Sequence, residues 1–559
     1  MFFCAFMEIY MNILHYARNT RELARTLGVR YNQLNRILYA YDETGLRGTD
    51  KYYKSFDLNK KNGGIRHINA PTGELLRIQK KISKILQASI KTNNISHGFN
   101  VGKSIYSNAN VHHNKRYVLN LDLKDFFDSV HFGRVRGFFI KNNSFKCNDN
   151  IATILAQLTC YNGKLPQGAP SSPVLTNLIC NIMDYHILKI AKKYKLNYTR
   201  YADDMTFSTN DKNFLELYNQ FMIDITTEVN KSGFKINDRK TRLQYKDSRQ
   251  EVTGLIVNKN LSVPNEYYKT TRAMAYSLYK NGFYILNGQQ DGTINQLDGR
   301  LMFINNKHLD NNDKSMYEFT KRQRELQKFL FYRYFYMNDM PLICTEGKTD
   351  ILYIKAALLN YADEYPELID ENGFLFYFFK RTKRMKKYFE IQEDGADTWK
   401  NFYKKFCSEF KDSKKYYSFF KQFQICSKYP VILLFDNEQD SKHPLGKFLN
   451  TFQLDALKNK LYSKNYVRID PQQNMYILTI PKLKGDSNVE IEDLFDEELL
   501  NIELNGKKFC RNGKDDNSFG KEFFSKYVYS HRDEIDFSNF KYLLNGIKDI
   551  VTDYSQSLQ

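Results

Sequence analysis

Within residues 1–45, apolar side chains recur at helical spacing: Leu23, Ala24, Leu27, Val29, Leu34 and the Ile37–Leu38 pair predict helices broken by a turn at Gly28. This helix-turn-helix pattern suits either contact with nucleic acid or a small helical cap on the next domain. Strand-like segments flank the basic turn Lys60–Gly64, and Pro71 then leads into a helix with Leu75, Leu76, Ile78, Ile82 and Ile85–Leu86 on one face. The run YVLNLD ends a β-prone segment at Asp122, with a helix expected to begin near Lys124. Pro166, Gly168, Pro170 and Pro173 set a non-repetitive loop before an amphipathic helix from about Val174, and the Ser171–Ser172 pair in that loop is free to donate to a ligand. Asn197–Ser208 predicts strand–turn–strand, and Val252–Leu255 a short strand with a turn. Residues 265–336 read as helical, basic and aromatic.

From Pro341 the pattern changes. Leu342–Thr345 and Pro430–Phe435 read as short buried strands, the first followed at once by a helix (ILYIKAALLN), and Glu490–Phe495 as the start of another helix. The tail from Lys507 is polar and then helical. Two or three domains are expected from 559 residues.

Composition narrows the partners. The net charge is +20, from 83 basic and 63 acidic residues, and favours a polyanion. Eight scattered cysteines without a CxxC pair exclude a zinc ribbon and a disulfide framework and fit a reducing, cytoplasmic setting. The start MFFCAF lacks a basic flank, and no stretch has the length and apolarity to span a bilayer, so neither a signal peptide nor a membrane partner is expected.

Acidic residues at strand ends carry the candidate chemistry. Adjacent Asp203 and Asp204 interrupt a packable run, and like charges side by side raise each other's pKa unless a cation is near. They suit oxygen ligation of a Mg²⁺-like ion, or a solvated hairpin turn. Asp122, ending an apolar strand, is the natural third ligand or else a helix N-cap. In the carboxy-terminal third, Glu346 with Asp350, Asp436 with Glu438 and Asp440, and Glu492 with Asp493 form three further acidic clusters. Two of them stand at the carboxyl ends of apolar strands, where open α/β sheets bind ligands.

In this order, Asp122, the loop LPQGAPSSP, Tyr201–Asp204, Gly233–Lys240 and Val252–Leu255 resemble reverse transcriptases over roughly Leu58 to Tyr336. Asn108–His112 resembles the NAxxH signature of bacterial retron enzymes, and Val252–Thr253–Gly254 their VTG signature. The resemblance implies an α+β right-hand polymerase: an amino-terminal helical segment (1–50), fingers and palm (51–260) and thumb (261–336). Asp122, Asp203 and Asp204 would be its catalytic ligands for two Mg²⁺ ions. It further implies that Phe127 closes off the sugar 2′ position, and that Gln167, Gly168, Arg66 and Lys240 contact the incoming nucleotide. Asn108, His112, Val252, Thr253 and Gly254 would choose a cognate noncoding RNA. That RNA would serve as template and primer, with dNTPs as substrates and branched RNA–DNA (msDNA) as product, in the bacterial cytoplasm. Group II intron-like and diversity-generating reverse transcriptases are the alternatives.

EGKTD at Glu346–Asp350 resembles the first motif of TOPRIM domains, implying an α/β domain over 337–559. Glu346 would be the general acid–base, with Mg²⁺ or Mn²⁺ on Glu346, Asp436 and Glu438, supported by Asp350, Asp440, Glu492 and Asp493. Asp436–Asn437–Glu438 departs from the usual DxD, and the longer Glu arm alters that corner. The resemblance implies a nuclease effector acting on nucleic acid in anti-phage defence, or a module that only docks. Lys380–Lys387 is either a solvated face or a nucleic-acid contact. A homo-oligomer is left open.

Overall fold

Three helices, Ile13–Tyr16, Thr20–Leu27 and Tyr31–Tyr39, begin the computed structural model, which describes residues 13–41, 43, 45–46, 48–59, 63–90, 93–288, 290–306, 319–391, 397–438, 440–483, 488–504, 506–511 and 518–558. Lys60–Asn62 of the basic turn lie outside the described residues. Asn19 caps the second helix by accepting the Glu22 N–H, and Gly28 ends it in the left-handed region at φ 74°. Leu23, Ala24, Leu27, Leu34, Ile37 and Leu38 are buried in one core with Leu75, Ile78, Ile82, Ile85 and Leu86 of helix Gly73–Ser89. Each such Leu or Ile side chain taken from water contributes about 1.5–3 kcal/mol, and Gln33 and Arg36 add hydrogen bonds to Glu74 of that helix.

Two compact units divide the chain, one running to Tyr267 and the other taking in Tyr268–Asn305 and the carboxy-terminal part. In the first, β1 (Tyr53–Asn59) and β2 (Ile65–Pro71) form an antiparallel hairpin. A four-stranded antiparallel sheet follows, made of β3 (Tyr117–Asp122), β4 (Asn197–Tyr201), β5 (Asp204–Thr209) and β6 (Arg242–Tyr245) in the order β4-β5-β3-β6. Helices Ser172–Lys193 and Phe214–Lys231 share a core with Leu119, Leu121, Met205 and Phe207 of its strands. The helix expected near Lys124 is absent: residues 124–129 form turns, and the next helix starts at Phe132. A second short hairpin pairs β7 (Glu251–Val252) with β8 (Leu255–Ile256).

The second unit is built on a five-stranded sheet: β9 (Leu342–Cys344), β10 (Tyr377–Phe378), β11 (Val431–Phe435), β12 (Tyr466–Arg468) and β13 (Met475–Thr479), in the order β10-β9-β11-β13-β12. All neighbours are parallel except β12 with β13. Its strands are apolar on both faces, as a covered parallel sheet requires. Leu342, Cys344, Val431, Leu433, Phe435, Met475 and Ile477 face one core, while Ile343, Ile432, Leu434, Tyr476 and Leu478 face another. The first of these cores also takes in Ala275, Leu278, Leu301, Leu326 and Phe329–Tyr332. The helices at 265–336 therefore pack on the carboxy-terminal sheet within one unit. Glu490–Phe495, expected to open a helix, is a single 3₁₀ turn over Ile491–Leu494, with the short helix Glu497–Leu500 after it.

Candidate active sites

In the first unit, antiparallel register sets Asp122 opposite Asp204 across β3 and β5, and Tyr201 opposite Asp204 across β4 and β5. Directly opposed side chains lie on the same face of the sheet within about 5.5 Å at Cβ. Ala202 makes the turn at φ 56°, and the Leu123 N–H donates to the Asp203 carbonyl at 2.9 Å, holding the turn on the end of β3. The three carboxylates feel one another. Loss of water raises Asp203, with Asp122 adding to it, and the same loss together with the charges of Asp203 and Asp122 pushes Asp204 up to about 7. Asp122 accepts from Lys240 Nζ at 2.8 Å and Asn237 Nδ2 at 3.1 Å, and that ion pair holds the Lys240 ammonium above its ordinary value.

Several residues that the motif reading did not name build the turn from behind. Arg200 and Asp184 are fully buried and paired through two hydrogen bonds of 2.8 and 2.7 Å. Arg200 Nη1 also donates to the carbonyl of Ala202 and to Asn177 Oδ1, both at 3.0 Å. Asn177 in turn donates to the Gly98 carbonyl. Gly98 is required by space: a Cβ there would stand 2.6 Å from the Ala202 nitrogen. One signal was available in the sequence, a charged Arg200 within a β-prone run, but its partner 16 residues away left no periodic trace.

The residues expected on the nucleotide side lie on the β1–β2 hairpin, on the loop docked against it and after β3. The Asn69 N–H on β2 donates to the Gln167 carbonyl at 2.7 Å, and Gly168 lies against Ile68 and Asn69, so the loop docks on the hairpin. Arg66, on β2, is exposed and close enough to lower the Asp203 pKa. Phe127 is half-buried, edge-on to Phe126. Ser171 and Ser172 are buried and face inward, which corrects the expectation that they donate to a ligand.

The residues expected to choose RNA are largely internal. Asn108 and His112 are fully buried: His112 bridges the Ser208 hydroxyl at 2.8 Å and the Thr199 hydroxyl at 2.7 Å, and Thr199 donates to Asn108 Oδ1. Burial pushes the His112 imidazole down to about 3, so it stays neutral. Val252 is buried as well. Asn108, His112 and Val252 are thus inside the fold as placed, and Asn108 and His112 tie β4 to β5 through Thr199 and Ser208. Thr253 and Gly254, at φ 47° and 81°, form the turn of the β7–β8 hairpin and are the outward members of the set.

In the second unit, Glu346 and Asp436 follow the carboxyl ends of the neighbouring parallel strands β9 and β11. The Asp436 N–H donates to Glu346 Oε1 at 3.3 Å, and Asp436 Oδ1 accepts the Ile491 N–H at 3.2 Å. Burial, with Asp350 next, pushes Glu346 up to about 8, and burial with Glu346 holds Asp436 well above the carboxylate range. Asp350 accepts the Gly347 N–H at 2.9 Å, and a Cβ on Gly347 would come within 2.8 Å of its carboxylate.

Around that pair, Arg381 Nη2 donates to the carbonyls of Thr345 and Glu346 at 2.8 and 2.7 Å, and Trp399 donates to Thr345. Arg384 pairs with Asp298. This part of the basic run Lys380–Lys387 is thus used internally. Glu438 pairs with His443 at 2.7 Å, and Asp440 lies 3.4 Å from the same ring. Buried Glu492 pairs with Lys521 at 3.0 Å, and Asp493 pairs with Arg511.

Among the described residues, no three His, Cys, Asp or Glu side chains stand close enough as placed to hold a metal ion. The donor chemistry still fits a hard divalent cation: burial, and then neighbouring carboxylates, raise Asp204 in one centre and Glu346 in the other, and a bound cation would reverse that.

Residues 58–258 match the family described as reverse transcriptase (RNA-dependent DNA polymerase). Over 277 residues the chain is 34% identical to the retron Mx65 reverse transcriptase of Myxococcus xanthus, covering 46% of this chain and 62% of that protein. It is 31% identical over 264 residues to the retron Ec86 reverse transcriptase of Escherichia coli, covering 47% and 78%. It is 30% identical over 310 residues to the retron Mx162 reverse transcriptase of Myxococcus xanthus, covering 50% and 62%. The chain thus spans less than two thirds of the Mx65 and Mx162 proteins. A solved telomerase from Candida albicans in complex with a telomeric RNA fragment is similar at 12% identity and a TM-score of 0.32, over 67% of this chain and 66% of that one. No helix among the described residues is long and apolar enough to cross a membrane. By its amino-terminal half, the chain belongs to the retron reverse transcriptase family.

Proposed function

We propose that the amino-terminal unit is an RNA-directed DNA polymerase that copies a cognate structured RNA into branched msDNA. The observation that carries this reading is the register of β3 with β5, which faces Asp122 with Asp204 beside Asp203 in a chain whose relatives are retron reverse transcriptases. Asp122, Asp203 and Asp204 would hold Mg²⁺, which when bound supplies activation of the attacking hydroxyl and charge neutralisation at the leaving pyrophosphate. Lys240 balances the buried Asp122 carboxylate, and Arg66 and the Gln167–Gly168 loop border the place where a triphosphate would lie. Phe127 restricts the sugar. Primer extension on an RNA template tests the reading: Mg²⁺-dependent DNA synthesis is expected, falling below detection in Asp203→Asn/Asp204→Asn. Equal synthesis by that variant would defeat it.

We further infer that the carboxy-terminal unit is a TOPRIM-like phosphodiester-cutting centre and the effector of a defence system. Support comes from the acidic residues at the ends of two adjacent parallel strands and from the mutual raising of Glu346 and Asp436. Glu346 is suited to move a proton near neutral pH, and Asp436 with Glu438 would hold a divalent ion. The docking-only alternative draws on the ion pairs of Lys521 and Arg511 with the third cluster, which leave Glu492 and Asp493 already neutralised. Nicking of plasmid or RNA by the full chain, lost in Glu346→Gln, supports cutting, whereas activity indifferent to that change supports docking.

A further inference from the structure

One basic and aromatic segment of the sequence is used by neither acidic centre. Along helix Asn265–Asn281, Lys269, Arg272, Ala273 and Tyr276 fall at spacings of three and four and share one face. With Tyr279, with Glu325 and Lys328 of helix Lys321–Phe331 and with Phe419 of helix Tyr416–Lys421, they line a cavity of about 420 Å³. That volume is within the range of small-molecule sites.

Three cations meet one carboxylate here, and among the described residues Lys269, Arg272 and Lys328 form no ion pair with an acid. Lys328 instead sits 4.1 Å from the centre of the Phe419 ring, and Arg272 5.7 Å from that of Tyr268. Three like charges against one carboxylate leave a net positive charge, and an anion relieves their repulsion. The aromatic side of the cavity offers flat surfaces: Tyr276 is 53% exposed, and Phe419 is partly open. Tyr279 lines the cavity, and its hydroxyl is buried with no hydrogen-bond partner among the described residues, a costly state for a polar group.

We propose that this cavity binds a nucleoside phosphate, its phosphate among Lys269, Arg272 and Lys328 and its base against Tyr276 or Phe419. The nucleotide is either free or the end residue of a single strand, since both present the same phosphate and ring. The site lies outside both acidic centres and goes beyond the function proposed above.

The test uses the full-length chain in EDTA, which suppresses metal-dependent nucleotide binding elsewhere. Fluorescently labelled AMP and a labelled six-nucleotide DNA strand are titrated by anisotropy. Saturable binding is expected, weakened about tenfold or more in Lys269→Glu/Arg272→Glu and in Tyr276→Ala, as loss of a phosphate contact or a stacking ring should produce. Lys280→Glu, on the same helix but off the cavity, stays within about twofold of wild type. Binding of AMP identifies a free nucleotide, and binding of the strand alone identifies a strand end. Absence of saturable binding to both probes, or equal affinity in all the cavity variants, overturns the proposal.

Discussion

Arg200 and Asp184 form a buried bidentate ion pair, and the same guanidinium holds the Ala202 carbonyl at the turn that carries Asp203 and Asp204. Removing one partner leaves an uncompensated charge in the core. Arg200→Ala or Asp184→Asn should therefore destabilise the chain by about 3–5 kcal/mol in denaturant titrations. The apolar double variant Arg200→Met/Asp184→Leu should regain much of that stability. It should still extend primers poorly, because nothing then grips Ala202. Full activity in the double variant would deny the pair a positioning role.

Lys240 occupies one oxygen of Asp122. A divalent ion at Asp122 competes with that ammonium, so Lys240→Met should lower the Mg²⁺ concentration giving half-maximal extension. The KM for dNTP should rise if Lys240 turns to the triphosphate once metal is bound. Mg²⁺ titrations at saturating and limiting dNTP separate the two effects, and a higher Mg²⁺ requirement would contradict this reading of the ion pair.

His112 is held neutral between Thr199 and Ser208. Its folded pKa is depressed from 6.5 to about 3, so the unfolded chain takes up a proton that the folded chain refuses. Stability from this site is complete above pH 6.5 and is lost as pH falls toward 3. His112→Gln should flatten that acid decline. His112→Leu should cost about 1–3 kcal/mol at neutral pH by orphaning buried hydroxyls. Thermal unfolding between pH 4 and 8 checks both.

Glu346 and Asp436 have the opposite sign. A carboxyl raised in the folded state binds its proton more tightly there than when unfolded. Its contribution is therefore present at low pH and lost as pH climbs from about 4.5 through about 8. The metal-free chain should lose thermal stability across that window, with Asp204 adding in the same direction up to about 7. Mg²⁺ should raise the unfolding temperature more at pH 8 than at pH 6, and Glu346→Gln should shrink the part of that difference arising from the carboxy-terminal unit. A Mg²⁺ effect independent of pH would contradict protons and metal sharing these carboxylates.

Much of this was legible in the chain itself. β-prone and continuous apolar runs placed β3, β4, β5, β9 and β11, period-3.6 spacing placed the helices around them, and the carboxylates stood where apolar strands ran out. What escaped was set by long-range packing. Asp184, Asn177 and Gly98 are separated in sequence from the turn they support, and only the folded sheet brings them to Arg200. The helix expected at Lys124 gave way at Asp125, whose backbone sits in the left-handed region at φ 48°. Asn108 and His112 are RNA candidates through the NAxxH resemblance, yet their partners are hydroxyls on β4 and β5, a pairing that no local pattern announces. The helices after Tyr268 were legible as helices, while their shared core with the carboxy-terminal sheet was not.

The central claim is that Asp122, Asp203 and Asp204 act together to build DNA on an RNA template. It is tested most directly by expressing the chain in bacteria with the DNA flanking its coding region and resolving total nucleic acid before and after RNase. The account predicts a small DNA species that shortens on RNase treatment and vanishes in Asp203→Ala/Asp204→Ala. Its persistence in that variant, or its absence from cells carrying the wild-type chain, would contradict the account.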